Sequence, residues 1–293
     1  MSVVLITGCS SGIGLETALA FARRGDTAYA SMRDPARGTG LRERADAEGL
    51  AVEVPALDVT DDSSVVSAVR AVERRQGAID VLVNNAGIAG SGPVETIPAE
   101  RARAVLETNL WGPVRTIRAA LPAMRARGAG VIVNVSSVAA RVPAMPYNGF
   151  YAAGKSALGA LSESLAWELA PFGIRVVCVE PGFFRTGIAA KAWAEPAAGP
   201  YRADHRWVND FFARNGEAGG GDPAVVGEAI ARAAHDSASP LHVLVGDDAR
   251  AYVDLARRAG DHEGWVTVAT GIVESVAGSR PGSAAAATRA EAS

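Results

Sequence analysis

Tyr151 and Lys155 stand four residues apart in Phe150-Tyr151-Ala152-Ala153-Gly154-Lys155, so on a helix the phenol and the ammonium share one face. A free tyrosine titrates near ~10 and moves protons poorly at neutral pH, whereas a fixed cation nearby favours the phenolate. Lowering that pKa by about three units takes roughly 4 kcal/mol of differential stabilisation, within reach of a close ammonium in a partly desolvated cleft. Such a pair can build a proton donor. The same spacing also suits a lysine stem lying along an aromatic ring on a helix surface, so the surrounding residues must decide between the two.

A second chemical feature opens the chain. Thr7-Gly8-Cys9-Ser10-Ser11-Gly12-Ile13-Gly14 follows the apolar run Val3-Val4-Leu5-Ile6 and precedes the helical pattern Leu15-Glu16-Thr17-Ala18-Leu19-Ala20. Strand, glycine turn and helix stand in the order of a dinucleotide site. Glycines let the backbone approach a pyrophosphate, and the helix N-terminus offers N–H groups and a positive dipole end. Gly8, Ser10, Ser11, Gly12, Ile13 and Gly14 are the candidate cofactor residues, although the spacing is Gly-x-x-x-Gly-x-Gly and not Gly-x-Gly-x-x-Gly. At the end of the second strand the chain reads Ser31-Met32-Arg33-Asp34. Arg33, helped by Ser11, would pair with a 2′-phosphate, which favours NADP(H) over NAD(H). Asp34 holding ribose hydroxyls, or an exposed Arg33–Asp34 ion pair, are the alternatives.

Further polar groups fall at carboxyl ends of strands, where open α/β sheets bind ligands. Asp58 and Val59 follow the third strand, with Asp58 reaching an adenine amino group or capping the next helix. Asn84, Asn85, Ala86 and Gly87 follow the fourth and shape a turn against the cofactor, or are ordinary turn residues. Asn134-Val135-Ser136-Ser137 ends the fifth, and Glu180-Pro181-Gly182-Phe183-Phe184-Arg185-Thr186 the sixth.

The elements that must carry these residues are legible from periodicity. Strands are expected at about 3–7, 27–32, 51–56, 81–84, 131–136, 174–180 and 241–245. Their near-continuous apolar character is that of strands covered on both faces. Helices are expected at about 13–24, 63–76, 99–127, 151–172 and 223–235. This alternation predicts an α/β fold, a doubly wound, Rossmann-type, seven-stranded parallel sheet flanked by helices, in a single domain over residues 1–276. Residues 188–222 break the rhythm with Trp193, Tyr201, Trp207, Phe211 and Phe212, as a substrate lid or a packed surface helix would. From about Ala277 to Ser293 the composition has little to bury, which predicts a frayed tail.

With 293 residues, 48% of them apolar, the chain can bury a large core, and its formal charge of −3 gives no footprint for nucleic acid. No export signal or span of transmembrane length is read, so a cytoplasmic protein without a membrane anchor is expected. Two cysteines, Cys9 and Cys178, make no disulfide framework, and no metal is expected. The long helices at 99–127 and 151–172 have apolar faces broad enough to cover the sheet and still pair subunits, so a homodimer or homotetramer is anticipated.

Together the motifs resemble the short-chain dehydrogenase/reductase family over about residues 3–190, within it the hydroxysteroid- and retinol-dehydrogenase-like branch. The likeness rests on Thr-Gly-x-x-x-Gly-x-Gly, Asn-Asn-Ala-Gly, a lone Asn in the long helix at 99–127, Ser ahead of Tyr-x-x-x-Lys, and Pro-Gly with a downstream Thr. The resemblance implies catalytic roles for Ser137, Tyr151, Lys155 and Asn109. Tyr151 would protonate the carbonyl oxygen, Lys155 would lower the tyrosine pKa and bind the nicotinamide ribose, Ser137 would bond the developing alkoxide, and Asn109 would hold a water next to Lys155. Pro181, Gly182 and Thr186 would position the nicotinamide. Ser137 lies fourteen positions before Tyr151, one more than is usual in the family. An extra residue in Pro143-Ala144-Met145-Pro146 accounts for this, and Ser136 is the alternative serine.

The expected activity is NADP(H)-dependent hydride transfer between nicotinamide and a ketone or secondary alcohol, as a carbonyl reductase or alcohol dehydrogenase. The aromatic insertion and Met145 point to an apolar small molecule, of steroid, retinoid, polyketide or aryl-ketone type. A non-catalytic NADP(H)-binding scaffold or sensor is the alternative from another class, and an isomerase or dehydratase built on the same apparatus is a third.

Overall fold

The computed structural model of the chain describes residues 1–188, 193–194 and 199–282. Seven strands form one parallel sheet: β1 (Val3–Thr7), β2 (Thr27–Ser31), β3 (Val52–Glu53), β4 (Val81–Asn84), β5 (Gly130–Val135), β6 (Ile174–Pro181) and β7 (His242–Val245). Their order is β3-β2-β1-β4-β5-β6-β7, every pair parallel, with Leu5 opposite Tyr29 on one side and Leu82 on the other. Strand order therefore reverses between β1 and β4. That switch point opens a crevice at the carboxyl ends of the strands.

Helices cover both faces. One side carries α1 (Gly12–Arg23) and α8 (Pro223–His235), whose Leu19, Phe21, Val226 and Ile230 bury Val4, Ile6, Val81 and Val83. The other carries α3 (Asp62–Gln76), α5 (Gly112–Arg127) and α6 (Gly149–Leu169), whose Val69, Ile117 and Leu165 cover Leu5, Leu82 and Ile132. Successive residues of β1 thus enter different cores, which is why the strand is apolar throughout. The other helices are α2 (Thr39–Glu48), α4 (Ala99–Leu106), α7 (Arg202–Ala213), α9 (Asp247–Ala259) and α10 (His262–Ala277). None of the described helices is long and apolar enough to cross a membrane.

Three expectations need correction. The third strand shrinks to two residues because Pro55 has no N–H to give the ladder; pairing resumes only at the Met32–Ala56 bridge. The helix expected over 99–127 is interrupted by a π-helical turn at Glu107–Trp111, since Pro113 cannot donate to the carbonyl of Asn109 four residues back. The expected tail does not begin at Ala277: the Trp207 indole donates to the Gly278 carbonyl at 2.6 Å, and Arg280 pairs with Asp204 at 2.6 Å. Residues 283–293 of that tail lie outside the described residues.

Candidate active site

The glycine turn closes against the loop after β4. Gly8 and Gly12 have φ of +77° and +61°, a region side chains rarely enter. A Cβ on Gly8 would lie 2.7 Å from Cα of Ala86, and one on Gly14 would lie 2.4 Å from Nδ2 of Asn85. Asn85 braces the turn by donating to the carbonyls of Thr7 and Gly8 at 2.8 and 3.2 Å. The Thr7 hydroxyl in turn accepts from the backbone N–H groups of Asn85 and Ala86. The turn packs this closely against the loop after β4 only because these positions carry no side chains.

A cavity of about 920 Å³ runs from this turn along the carboxyl ends of the strands. Of the candidate cofactor residues, Gly8, Ser10, Ser11, Ile13, Arg33, Asp58, Val59, Asn85, Ala86, Gly87, Pro181, Gly182 and Thr186 line it, as do Ser137, Tyr151 and Lys155. Gly12, Gly14 and Asn109 do not line it and act from behind the wall. Gly12 lets the Thr186 backbone approach, since its Cβ would be 2.8 Å from that carbonyl. Gly182 makes room for Asp248, whose carboxylate accepts from the Phe183 N–H at 2.6 Å.

At the outer end, Ser31 is fully buried and donates to the Ile6 carbonyl at 2.8 Å. Asp34 caps a short 3-10 helix at Pro35–Gly38, accepting from the Ala36 N–H, and no ion pair joins it to Arg33 among the described residues. Arg37, on the next turn, lines the cavity beside Arg33. Sequence reasoning missed Arg37, although a second arginine four positions on was a signal for a paired cationic site. Asp58 does not cap α3, a role held by Asp61. One oxygen of Asp58 is held by the N–H and hydroxyl of Thr60.

The Tyr151 phenol and the Ser137 hydroxyl line the same cavity, and Ser137 is the one group that works against the burial-driven rise of the Tyr151 pKa. Ser136 donates to the Lys155 backbone carbonyl at 2.9 Å and is buried, whereas the Ser137 hydroxyl accepts from the Ala139 N–H at 3.2 Å. Lys155 Nζ donates to the Val135 carbonyl at 2.8 Å and lies 5.8 Å from the Tyr151 ring centre. Burial pushes the Tyr151 pKa up, with the Ser137 hydroxyl opposing, and pushes Lys155 down to about 8. Desolvation is the largest cause of both shifts, and a lowering of the tyrosine pKa by Lys155 does not figure in them.

Asn109 is fully buried in the π-helical turn, where its amide accepts from the Ile88 N–H and donates to the Ile88 carbonyl, both at 2.9 Å. A Cβ on Gly87 would meet Asn109 Oδ1 at 3.3 Å and Lys155 Nζ at 3.6 Å. Asn109, Gly87 and Lys155 thus converge. Asn84 belongs to a separate buried chain, donating to Asn134, which donates to Ser162.

Over the other half of the cavity stands α7. Its Trp207 and Phe211 are buried against Val273 of α10, and Phe211 and Phe212 face the cavity beside Phe183. The aromatic insertion is therefore both a packed helix and a wall of the cavity. Trp193 lies in a two-residue strand beside Gly90–Ser91; the rest of 189–198 lies outside the described residues. The loop ahead of α6 contributes Pro143, Ala144 and Met145, and ends at Tyr147 with a strained φ of +62°.

A glycine-cradled switch point thus opens on the same cavity as a Ser–Tyr–Lys cluster, an arrangement suited to a dinucleotide beside a proton donor. The family model for short chain dehydrogenase matches residues 2–197. The chain belongs to the short chain dehydrogenase family. It is 37% identical over 235 residues to an uncharacterized oxidoreductase, YusZ, of Bacillus subtilis, covering 78% of this chain and 82% of that one. It is 38% identical over 217 residues to human 17-beta-hydroxysteroid dehydrogenase type 1, covering 72% of this chain and 65% of that one. Among solved structures, a short-chain dehydrogenase from Streptomyces avermitilis is similar with a TM-score of 0.78 at 35% identity, covering 92% of this chain and 97% of that one. A metagenomic short-chain oxidoreductase in complex with NADP has a TM-score of 0.67 at 28% identity, with 83% of this chain and 96% of that one covered. A Burkholderia phymatum member in complex with NAD has a TM-score of 0.76 at 25% identity, with 88% and 93% covered.

Proposed function

We propose that the protein transfers a hydride between NADP(H) and a ketone or secondary alcohol of apolar character. The observation that carries this is the convergence of Ser137, Tyr151 and Lys155 in the same cavity as the glycine turn, with Lys155 Nζ 5.8 Å from the Tyr151 ring centre. When bound, the nicotinamide supplies the hydride chemistry. The residues present suit a dinucleotide. Gly8 and the serines would meet the pyrophosphate at the N-terminus of α1, and Arg33 and Arg37 would face a 2′-phosphate.

The chain's own groups then handle the proton. Tyr151 donates it to the carbonyl oxygen in reduction and withdraws it in oxidation, and Ser137 bonds the same oxygen as charge develops. Lys155, with a pKa brought down to about 8, changes charge near neutrality and so serves to return a proton to Tyr151. Asn109 holds the backbone of Ile88, the residue after the Gly87 that Lys155 Nζ approaches. The apolar substrate preference rests on Met145, Phe183, Phe211 and Phe212 in the cavity wall. A human relative named for hydroxysteroids points the same way.

Cytoplasmic location and pairing of copies through α5 and α6 belong to the same reading; Trp167 on α6 is 86% exposed. Purified protein mixed with NADPH and a panel of ketones should oxidise the cofactor. Tyr151→Phe should abolish that turnover and leave NADPH binding, followed by its fluorescence, intact. Normal turnover by Tyr151→Phe would overturn the proposal.

A further inference from the structure

A compact polar cluster interrupts the apolar half of the cavity. Ser91 Oγ lies 3.0 Å from His205 Nε2 and 2.8 Å from Asn209 Oδ1, and Asn209 Nδ2 lies 3.1 Å from the same His205 Nε2. Ser91 and Asn209 line the cavity, whereas His205 is 3% exposed behind them. His205 and Asn209 are neighbours on one face of α7, four residues apart. The cluster is not arranged as a hydrolytic triad, because Asn209 meets the same ring nitrogen that faces Ser91 and not the opposite one.

Proton counting shows what the cluster lacks. Burial lowers the His205 pKa, so at neutral pH Nε2 carries either a proton or a lone pair. With a lone pair, Nε2 accepts from the Asn209 amide and the Ser91 proton goes to Asn209 Oδ1. The Ser91 oxygen then has lone pairs to offer the cavity. With a proton, Nε2 donates to Ser91, which donates to Asn209 Oδ1, and the Asn209 N–H groups are left to donate. A ligand hydroxyl, both donor and acceptor, completes the network in either tautomer.

The cluster is also held firmly. The His205 ring packs edge-on against Tyr147 at 5.0 Å, the Tyr147 hydroxyl donates to Asp204 at 2.8 Å, and the Tyr147 carbonyl accepts from the Gly92 N–H at 2.9 Å. The backbone after Ser91 is thereby tied to α7 through Tyr147, whose strained φ accompanies these three contacts.

We infer that Ser91 and Asn209, organised by His205, form a subsite for a second oxygen on the substrate, so that the preferred substrate is an apolar ketone or alcohol bearing a remote hydroxyl. This rests on the oxidoreductase reading above and adds the substrate class.

The test compares matched ketones that differ by one hydroxyl: 1-tetralone with its 5-, 6- and 7-hydroxy derivatives, and androstan-17-one with 3-hydroxyandrostan-17-one. In at least one pair the hydroxylated member should have the higher kcat/KM by about tenfold, the worth of one or two hydrogen bonds, with the difference mainly in KM. Ser91→Ala and Asn209→Leu should each bring that pair to within about twofold while leaving the unhydroxylated ketone within about threefold of wild type. His205→Leu should do the same and His205→Gln should restore the preference. Equal preference in the wild-type protein, or loss on both members alike, overturns the inference and leaves the oxidoreductase reading standing. Absence of NADPH oxidation with every ketone overturns both.

Discussion

Lys155 Nζ lies 5.8 Å from the centre of the Tyr151 ring while it donates to the Val135 carbonyl at 2.8 Å. The ammonium is thus anchored to the end of β5, next to the tyrosine and not in contact with its hydroxyl. Both side chains sit where water does not reach freely, and each is pushed toward its neutral form. Passing a proton from the ammonium to a phenolate leaves both groups neutral, the state that burial favours. The helix α6 sets the pair on one face, and the convergence with Gly87 and Asn109 sets the lysine's depth.

That depth should be measurable as a stability cost. A lysine shifted from 10.5 to about 8 binds its proton more weakly in the native state than in the unfolded chain. Between those values the unfolded chain holds the proton that the native state has lost, so native stability rises with pH across the window, and the cost is fully present below about pH 8. Lys155→Met should therefore be more stable than wild type at pH 7, by on the order of 1–3 kcal/mol, with the advantage shrinking toward pH 10.5. Urea unfolding of both proteins at pH 7 and pH 10 measures it. A less stable Lys155→Met at both pH values would show that the Val135 bond outweighs the burial.

Cofactor preference should depend on two arginines together. Arg33 and Arg37 line the same end of the cavity, and Asp34, the carboxylate that might have bound a ribose, is engaged in capping the turn between them. Arg37→Ala should raise KM for NADPH by about tenfold, the scale of one charge-assisted bond. KM for NADH should change little. Arg33→Asp should invert the preference. Steady-state kinetics with both cofactors checks this, and a wild-type protein that prefers NADH would refute the assignment of both arginines.

The sheet and most of its helices were legible because they obey a period: buried strands read as unbroken apolar runs, and α3 opens on the acidic caps that helices favour. Other parts have weaker local signals. The helix α2 buries only Leu41 and Ala45, too few for a visible stripe, and α9 and α10 follow the last strand where no further strand signals a crossover. The site was legible where chemistry fixes residue type, as at Tyr151, Lys155 and the glycines. It was not legible where geometry assigns the role. Arg37 joins the cavity through the 3-10 turn that Asp34 caps, and Ser91, His205 and Asn209 meet only because α7 folds back over the loop after β4. Contacts across 114 residues leave no local pattern.

Gly14 should tolerate no side chain, despite its helical position. Its Cβ would lie 2.4 Å from Asn85 Nδ2 and 2.5 Å from the Gly8 carbonyl, and both belong to the brace between the two cofactor loops. Gly14→Ala ordinarily favours a helix, so propensity predicts a gain. Overpacking here should instead cost about 1–3 kcal/mol and weaken NADPH binding. Gly271, in α10 with nothing near its Cβ position, is the control: Gly271→Ala should be neutral or stabilising. Thermal unfolding of the two variants separates the effects, and similar Tm values for both would contradict the packing argument.

Asn109 is the residue on which the two halves of the site turn. Its amide occupies the break between α4 and α5 and satisfies both the N–H and the carbonyl of Ile88, immediately after Gly87. Asn109→Ala leaves two backbone groups without partners in a poorly solvated place, which should cost about 2–4 kcal/mol. Asn109→Asp keeps the acceptor for the Ile88 N–H, loses the donor to its carbonyl and adds a charge beside Lys155. It should stabilise the protonated lysine and raise the Lys155 pKa above about 8. If Lys155 returns protons to Tyr151, the pH profile of kcat should shift upward in Asn109→Asp, whereas a purely structural asparagine would lower kcat without moving the profile. The profile, measured for both variants alongside their unfolding midpoints, distinguishes these two roles.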